Sequence, residues 1–380
     1  MIRSVVLLYL TDFLAAAAYY AFLMILGSHI NALYDSPMLI GSVYQLLFTV
    51  AALSALIFGF FADLTRRSPL FAILGLAMSL LGFIILVFSP RELAKAGILL
   101  VFIGYSVFKT NLIAGLYAVT REKRAKFEGF YMILWLIISL GASVGPGIAW
   151  WLFGLSSGNS MVYTYASCAV VFGVATVLVF INYKSLKNST LISFSETYQG
   201  SLTNIVEILI FFFVSFWIWI ILPGIQELTG CVPRSEAMLY GLLGSIVFLA
   251  VAITISFATR ISIFFKTIVG FVALVSLLEL LPLLNCDYSI PILKSAAEIF
   301  IVPILAARIL MSSPSQFTVT FAAIFGVISM FSAWTRNQFS ELMQDEPTLF
   351  IHGFALGCLV LAGLVFVAHW MRKNRTPQGL

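Results

Sequence analysis

Long apolar stretches alternate with short polar or charged segments along the whole chain. A helix needs about 20 predominantly apolar residues to cross a bilayer, so each stretch of that length predicts a membrane-spanning helix. We predict twelve such helices, at about residues 5–32, 38–62, 69–89, 97–119, 129–154, 161–182, 204–225, 236–258, 261–284, 290–311, 316–336 and 349–371. The pattern therefore predicts an all-α membrane protein without a soluble domain.

A polar segment in the middle of the chain separates the first six predicted helices from the last six. It defines residues 1–182 as an N-terminal six-helix half and residues 183–203 as a central loop. Residues 204–371 then form a C-terminal six-helix half, and residues 372–380 form a tail. No repeat between the halves is evident in the sequence, so this division rests on the spacing of the apolar stretches.

The composition excludes a soluble globular protein. Hydrophobic residues make up 61% of the chain and charged residues 10%, whereas soluble domains contain about 25% charged residues. Lys and Arg gather in the loops after the second, fourth and sixth predicted helices and in the tail, which is typical of cytoplasmic segments. We therefore predict that both termini and the central loop are cytoplasmic and that the membrane is a cell membrane, the bacterial inner membrane. These loops account for the net charge of +5, so no nucleic-acid partner is expected.

Lys109 is the residue of the fourth predicted helix that most needs an explanation. It lies roughly 18 Å from the start of that helix at 1.5 Å per residue, close to the middle of the bilayer. An ammonium group at that depth costs at least about 2.5–3.5 kcal/mol and requires a counter-charge or a water-filled cavity. We interpret Lys109 as a functional residue; the alternative is a lysine that pairs with a structural carboxylate.

The first predicted helix places a carboxylate and a phenol on one face. Asp12, Ala16 and Tyr20 are spaced by four residues and therefore share a side of the helix, and Tyr19 adjoins them. Asp12 is one of the few acidic residues within a predicted span. We interpret this face as the lining of a cavity; the alternative is that the tyrosines only pack against neighbouring helices.

The loop between the second and third predicted helices contains a glycine, an aspartate and a basic pair: Gly59, Asp63, Arg66 and Arg67. Glycine permits close helix approach, an aspartate can face a helix N-terminus, and arginines anchor a loop in the cytoplasm. This loop resembles the signature loop of the major facilitator superfamily, with one residue fewer between the acid and the basic pair. The alternative is an ordinary cytoplasmic loop.

Two further stretches resemble the proton-dependent oligopeptide transporter family of the same superfamily. The string FKTN at 108–111 is followed by GLY at 115–117 and by LGASVGP at 140–146. Lys109 and Asn111 then fall on the lysine and asparagine of the family pattern, and Thr110 replaces its proline. In the tenth predicted helix, Glu298, Pro303 and Pro314 match the family's glutamate and two prolines.

This resemblance implies a site for a small zwitterion, in which Lys109 binds the carboxylate of a peptide and Glu298 binds its amino group. The remaining substrate-binding residues would be Tyr19, Tyr20, Asn111 and Trp217. Asp12 and Glu298 would carry protons, Pro303 would kink the tenth helix, and Lys109 would pair with Glu298 in the empty site.

The first predicted helix departs from the family pattern. The family has two glutamates followed at once by an arginine, then two tyrosines and a second arginine. Registered on Tyr19 and Tyr20, this chain has Asp12, Ala15, Ala16 and Leu23 at those four positions. The resemblance therefore does not extend to all the residues with which the family binds a peptide carboxylate and couples transport to protons.

The function predicted from these features is secondary active transport of small peptides or similar zwitterions by alternating access, with proton symport. The alternatives are a major facilitator carrier of another solute, such as an amino acid, a drug or an organic anion, and a non-transporting membrane receptor. No nucleophile with a base and no metal-ligating constellation is evident, so we expect neither an enzyme nor a cofactor or metal. We expect a monomer whose partners are its substrate, protons and the lipid bilayer. Cys231 and Cys286, in two outward loops, form either a disulfide or two unrelated thiols.

Overall fold

A computed structural model describes residues 1–34, 39–88, 91–120, 123, 126–155, 160–194, 202–229, 247–258, 261–284 and 289–373. Within these ranges the chain forms twelve α-helices. They are α1 (Ile2–Tyr34), α2 (Leu39–Thr65), α3 (Ser68–Phe88), α4 (Arg91–Val119), α5 (Phe127–Leu155), α6 (Ser160–Phe194), α7 (Leu202–Thr229), α8 (Val247–Phe257), α9 (Ile263–Glu279), α10 (Ser289–Ser312), α11 (Thr318–Asp345) and α12 (Pro347–Lys373).

The helices confirm the predicted all-α membrane architecture. Ten of them are long and apolar enough to cross a membrane. The exceptions are α8, described over Val247–Phe257, and α9, whose 17 residues span about 25 Å at 1.5 Å per residue. The protein is therefore a multi-pass membrane protein. Cys231 and Cys286 lie outside the described residues.

Two compact units make up the structure. The first comprises Met1–Glu122, Leu134–Tyr198 and Ser315–Val327, and the second comprises Lys123–Ile133, Gln199–Pro314 and Ile328–Leu380. The second unit includes the beginning of α5, and the first includes the beginning of α11; the predicted division into two six-helix halves stays a prediction. The remainder of each of these two helices belongs to the other unit.

Helices α3 and α4 of the first unit pack backbone to backbone. A side chain at Gly104 would meet the carbonyl oxygen of Gly75 and the hydroxyl of Ser79, both at 2.5 Å. One at Gly82 would meet the carbonyl oxygen of Gly97 at 2.7 Å. Only glycine fits these four crossing points, because any larger residue would drive the helices apart.

Helix α1 makes a similar contact with α5 in the same unit. A side chain at Gly141 would meet the Ala16 side chain at 2.8 Å and the Phe13 carbonyl oxygen at 2.9 Å. Gly145, one turn later, lies against the carbonyl oxygen of Ala17. The alanine run of α1, which adjoins Asp12, is therefore a close-packed face.

In the second unit, α10 and α12 both pack against α7 and α9. Helix α10 is buried along most of its length, and Pro303 lies within it at a buried position. The chain from Ile299 to Ala307 is buried without interruption. Glu298 precedes this run and Arg308 follows it, so the two charged residues mark its ends.

Candidate functional site

Asp12 and Lys109 form an ion pair between α1 and α4, two helices that pack against each other in the first unit. The Nζ atom of Lys109 lies 2.6 Å from both carboxylate oxygens of Asp12. Asp12 is 0% exposed, whereas the side chain of Lys109 is 18% exposed. The carboxylate of the pair is therefore fully buried, whereas part of the lysine side chain is exposed.

This pair explains how the membrane accommodates Lys109. An opposite charge at hydrogen-bond distance compensates the ammonium group that the sequence placed near mid-bilayer. The sequence assigned Asp12 to proton coupling and Glu298 to the pairing with Lys109. In this structure, the carboxylate that neutralises Lys109 is that of Asp12.

Aromatic side chains line α1 and α4 next to the ion pair. The rings of Tyr19 and Tyr105 stack with centroids 3.9 Å apart and planes at 9°. Tyr20 and Phe102 meet the ring of Tyr19 edge-on at 5.9 and 5.7 Å. Tyr19 is buried, and Tyr20 and Tyr105 are half-buried. Tyr19 thus stacks on a residue one turn before Lys109, and Tyr20 packs against Tyr19; the role of both in substrate binding stays a prediction.

Sequence reasoning did not single out Tyr105. It precedes Lys109 by four residues, so the two side chains lie on the same face of α4. That spacing could have identified Tyr105 once Lys109 had been recognised. We include Tyr105 in the candidate site of the first unit.

Asn111 lies elsewhere on α4. Its side-chain amide donates to the Val107 carbonyl oxygen at 2.8 Å. The backbone carbonyl oxygen of Asn111 accepts from the Ser68 hydroxyl at 3.2 Å. The residue is buried, and a position two residues from Lys109 does not face it on a helix. Among the described residues, its side-chain oxygen has no hydrogen-bond partner. Its geometry suits the attachment of α4 to the beginning of α3, and its role in substrate binding stays a prediction.

Glu298 belongs to a charged group of the second unit. It lies one turn after Lys294 on α10, and both side chains are half-buried. Lys294 interacts electrostatically with Glu298 and with Arg336 of α11. A cation on the same helix therefore interacts with Glu298, and sequence reasoning had named only Glu298.

Trp217 lies in an aromatic row on α7. Its ring meets Phe216 edge-on at 5.8 Å and Phe213 at 6.3 Å, and the residue is 37% exposed. These contacts are compatible with a pocket and equally with a membrane interface. Its role in substrate binding, like that of Pro303 in bending α10, stays a prediction.

Asp63 lies at the end of α2 and caps the first turn of α11 within the first unit. Its carboxylate accepts hydrogen bonds from the N–H groups of Val319 and Thr320 at 3.2 and 2.7 Å. The Thr320 hydroxyl donates a third at 2.7 Å. Gly59, one turn earlier, lies against Val319, where a side chain would meet a methyl group at 3.3 Å. A carboxylate at a helix N-terminus satisfies free N–H groups and opposes the positive end of the helix dipole.

The basic pair closes the α2–α3 turn. Arg66 adopts a left-handed backbone conformation with a φ of 56°, and the Arg67 N–H donates to the Ala62 carbonyl oxygen at 3.1 Å. This geometry ends a helix and is usually occupied by glycine. Both arginine side chains are exposed.

We expect Asp63→Ala to lower the free energy of unfolding by about 1 kcal/mol, within the usual range for the loss of a helix cap. Asp63→Asn should lower it less, because an amide oxygen still accepts from an N–H group. Thermal denaturation of the purified protein in detergent measures both effects. Equal melting temperatures for wild type and Asp63→Ala would contradict the capping role.

A second ion cluster joins the first turn of α5 to three helices of the second unit. The Glu128 carboxylate lies 2.7 Å from Lys266 Nζ and 3.1 Å from Arg308 Nε, and Lys266 also donates to the Ser256 carbonyl oxygen at 3.3 Å. Glu128 and Lys266 are each 2% exposed. We call Glu128, Lys266 and Arg308 the buried triad. Lys266 and Arg308 lie within the ninth and tenth predicted helices, and sequence reasoning did not identify their common partner.

The residue after Glu128 shows how closely α5 approaches α8. A side chain at Gly129 would meet the Phe257 ring at 2.7 Å. The ring of Phe130 meets the same ring edge-on at 5.5 Å. Charge and shape therefore both fix the first turn of α5 in the second unit.

Comparisons with known proteins identify the fold. No family model matches the sequence, and no curated protein matches it. Solved structures do match over nearly the whole chain. The human organic anion transporter MFSD10 has a TM-score of 0.65 and 15% identity over 97% of this chain and 98% of its own. The chain has the major facilitator fold.

Two proton symporters have TM-scores close to that of MFSD10. The E. coli fucose:proton symporter FucP, in a variant with a single substitution, has a TM-score of 0.66 and 12% identity over 97% of this chain and 98% of its own. The proton:xylose symporter XylE has a TM-score of 0.66 and 11% identity over 99% of this chain and 96% of its own. At these identities the comparisons establish the major facilitator fold alone, and membership of the oligopeptide transporter family stays a prediction.

Proposed function

We propose that the protein is a secondary carrier that moves small zwitterionic solutes, such as short peptides, across the membrane by alternating access. The ion pair of Asp12 and Lys109 is the observation that supports this proposal. It is a charged group near mid-bilayer in which part of the lysine side chain is exposed. In a major facilitator fold, substrate sites lie near the bilayer midplane, where such a residue is expected to face the substrate path.

The charges of this pair support proton coupling in this proposal. While Asp12 is ionised, it occupies Lys109 with both of its oxygens. A proton on Asp12 removes that charge and releases the ammonium group for the carboxylate of a substrate. One proton and one carboxylate thus enter the site together, and the site regains its charge balance. Glu298 binds the amino group of the substrate in this proposal.

An organic anion is the second candidate substrate. The observation that favours it is Lys294, a cation one turn before Glu298 on α10 that interacts electrostatically with it. A cation beside Glu298 weakens the attraction of that carboxylate for an amine and can itself bind an anionic group. One structural neighbour, MFSD10, is described as an organic anion transporter.

Uptake by proteoliposomes tests the proposal. We expect the wild-type protein to accumulate labelled alanylalanine when the outside is acidic and to equilibrate it when no pH gradient is imposed. Asp12→Asn should abolish the accumulation and retain exchange between labelled and unlabelled dipeptide. The asparagine keeps the size of the side chain and removes only the titrating group, so exchange reports on the intact path.

Two results would contradict parts of this proposal. Accumulation that persists in Asp12→Asn would assign the coupling to another group. Wild-type uptake of an organic anion such as benzoate, without uptake of the dipeptide, would favour the second candidate. Asn204→Asp, at the beginning of α7, adds a carboxylate outside the site and serves as a control for nonspecific effects of charge.

A further inference from the structure

The hydroxyl group of Tyr105 has no hydrogen-bond partner among the described residues. The ring is fixed against Tyr19 at 3.9 Å. The residue is half-buried, so the hydroxyl is not sealed in the core. A phenol hydroxyl that is not sealed in the core can donate a hydrogen bond to a ligand.

Tyr105 occupies the same side of α4 as the lysine of the ion pair. Tyr105 lies one turn before Lys109 on the same face of α4. Asp12 interacts electrostatically with its hydroxyl, in agreement with a position on the face of α4 that carries Lys109. The stack on Tyr19 restricts the ring, so the hydroxyl occupies a defined position without an ordering cost on binding.

We propose that Tyr105 is a substrate-binding residue whose hydroxyl, together with the ammonium group of Lys109, binds the two oxygens of a substrate carboxylate. This inference rests on the proposed function, because it takes Lys109 as the carboxylate-binding cation. The ligand class is an α-substituted carboxylate, which includes the C-terminus of a peptide and simple hydroxy acids or amino acids.

The need for a second donor follows from the chemistry of lysine. An ammonium group is a compact point charge on a flexible stem, whereas an arginine presents a fork that matches both oxygens of a carboxylate. Helix α1 contains no arginine after Arg3. A fixed phenol hydroxyl beside a lysine therefore supplies the directional donor that the lysine lacks.

Packing alone is the alternative role for Tyr105, and one substitution separates the two. Tyr105→Phe retains the ring and its stack on Tyr19 and removes only the oxygen. For a hydrogen bond to a charged group, we expect the concentration for half-maximal uptake of alanylalanine to rise about tenfold, with the maximal rate little changed. A ring needed only for packing would leave both values unchanged.

Alanylalaninamide sharpens the test, because it replaces the carboxylate by a neutral amide. Tyr105→Phe should weaken its competition with alanylalanine by about twofold or less, since a hydrogen bond to a neutral acceptor contributes less. Tyr163→Phe is the matched control, because Tyr163 is 55% exposed on α6 and outside the site. An equal loss for the dipeptide and its amide would overturn the carboxylate assignment.

A binding measurement separates failure of this inference from failure of the proposed function. If the wild-type protein transports no dipeptide, the peptide proposal fails. Stabilisation of the purified protein by lactate and benzoate, measured by thermal denaturation, then decides the inference about Tyr105. Binding of either acid that weakens about tenfold in Tyr105→Phe supports it. Absence of stabilisation by both acids, or equal stabilisation of wild type and variant, overturns it.

Discussion

Replacing Lys109 by glutamine is expected to abolish uptake and to destabilise the protein. The carboxylate of Asp12 is 0% exposed, and Lys109, at 2.6 Å, is the only charged partner that the structure describes for it. The substitution removes this partner. Loss of one partner from a buried pair typically costs about 3–5 kcal/mol, because the remaining charge has no compensation. Proteoliposome uptake and thermal denaturation in detergent measure the two effects.

A double-mutant cycle tests whether the instability comes from the pair. Asp12→Asn should also destabilise, whereas the double variant should be more stable than the sum of the two single effects predicts. Uptake should remain abolished in the double variant. Lys95→Gln, at an exposed position of α4, is the control and should change neither property. Additive shifts in melting temperature across the cycle would be incompatible with a coupled pair.

Replacing Glu128 by glutamine is expected to have a comparable effect on stability. It removes the only carboxylate that the structure describes in contact with both Lys266 and Arg308, at 2.7 and 3.1 Å. With Lys266 only 2% exposed, the uncompensated ammonium group should lower the free energy of unfolding by about 3–5 kcal/mol. The melting temperature in detergent reports this loss.

A second substitution distinguishes charge from packing at Glu128. Lys266→Met in the Glu128→Gln background removes the excess cation and should recover most of the lost stability. Glu279→Gln is the control, since that carboxylate is 43% exposed and its loss should be within about 0.5 kcal/mol of neutral. If the double variant is no more stable than Glu128→Gln, the cost arises from packing around Gly129 rather than from charge.

The helices could be predicted from the sequence because burial in lipid requires long apolar runs. Helix ends were less predictable, as α6 shows. It continues to Phe194, beyond the predicted end at residue 182. The apolar pattern marks where a helix meets the lipid, whereas Lys184 and Lys187 are good helix formers that allow the helix to continue past the membrane.

The site could be predicted only in part. Asp12 and Lys109 were identifiable one at a time, since each is a rare charge within an apolar span. Their pairing required knowledge of how α1 faces α4, which periodicity within a single helix does not supply. The buried triad shows the same limit, because Glu128 looks like one residue of a charged loop until α9 and α10 are placed around it.

The glycine crossings of α3 and α4 have a mechanical consequence. Gly75 and Gly104 bring the two backbones into contact, and Gly145 does the same for α1 and α5. The helices that hold Lys109 and Asp12 are therefore each clamped to a neighbour, with little freedom to slide or rotate. We then expect the ion pair to open by rotation about side-chain bonds, a small motion within a rigid frame. Proton arrival and substrate entry would be local events of this kind, separate in amplitude and in rate from the rearrangement that moves the solute across the membrane.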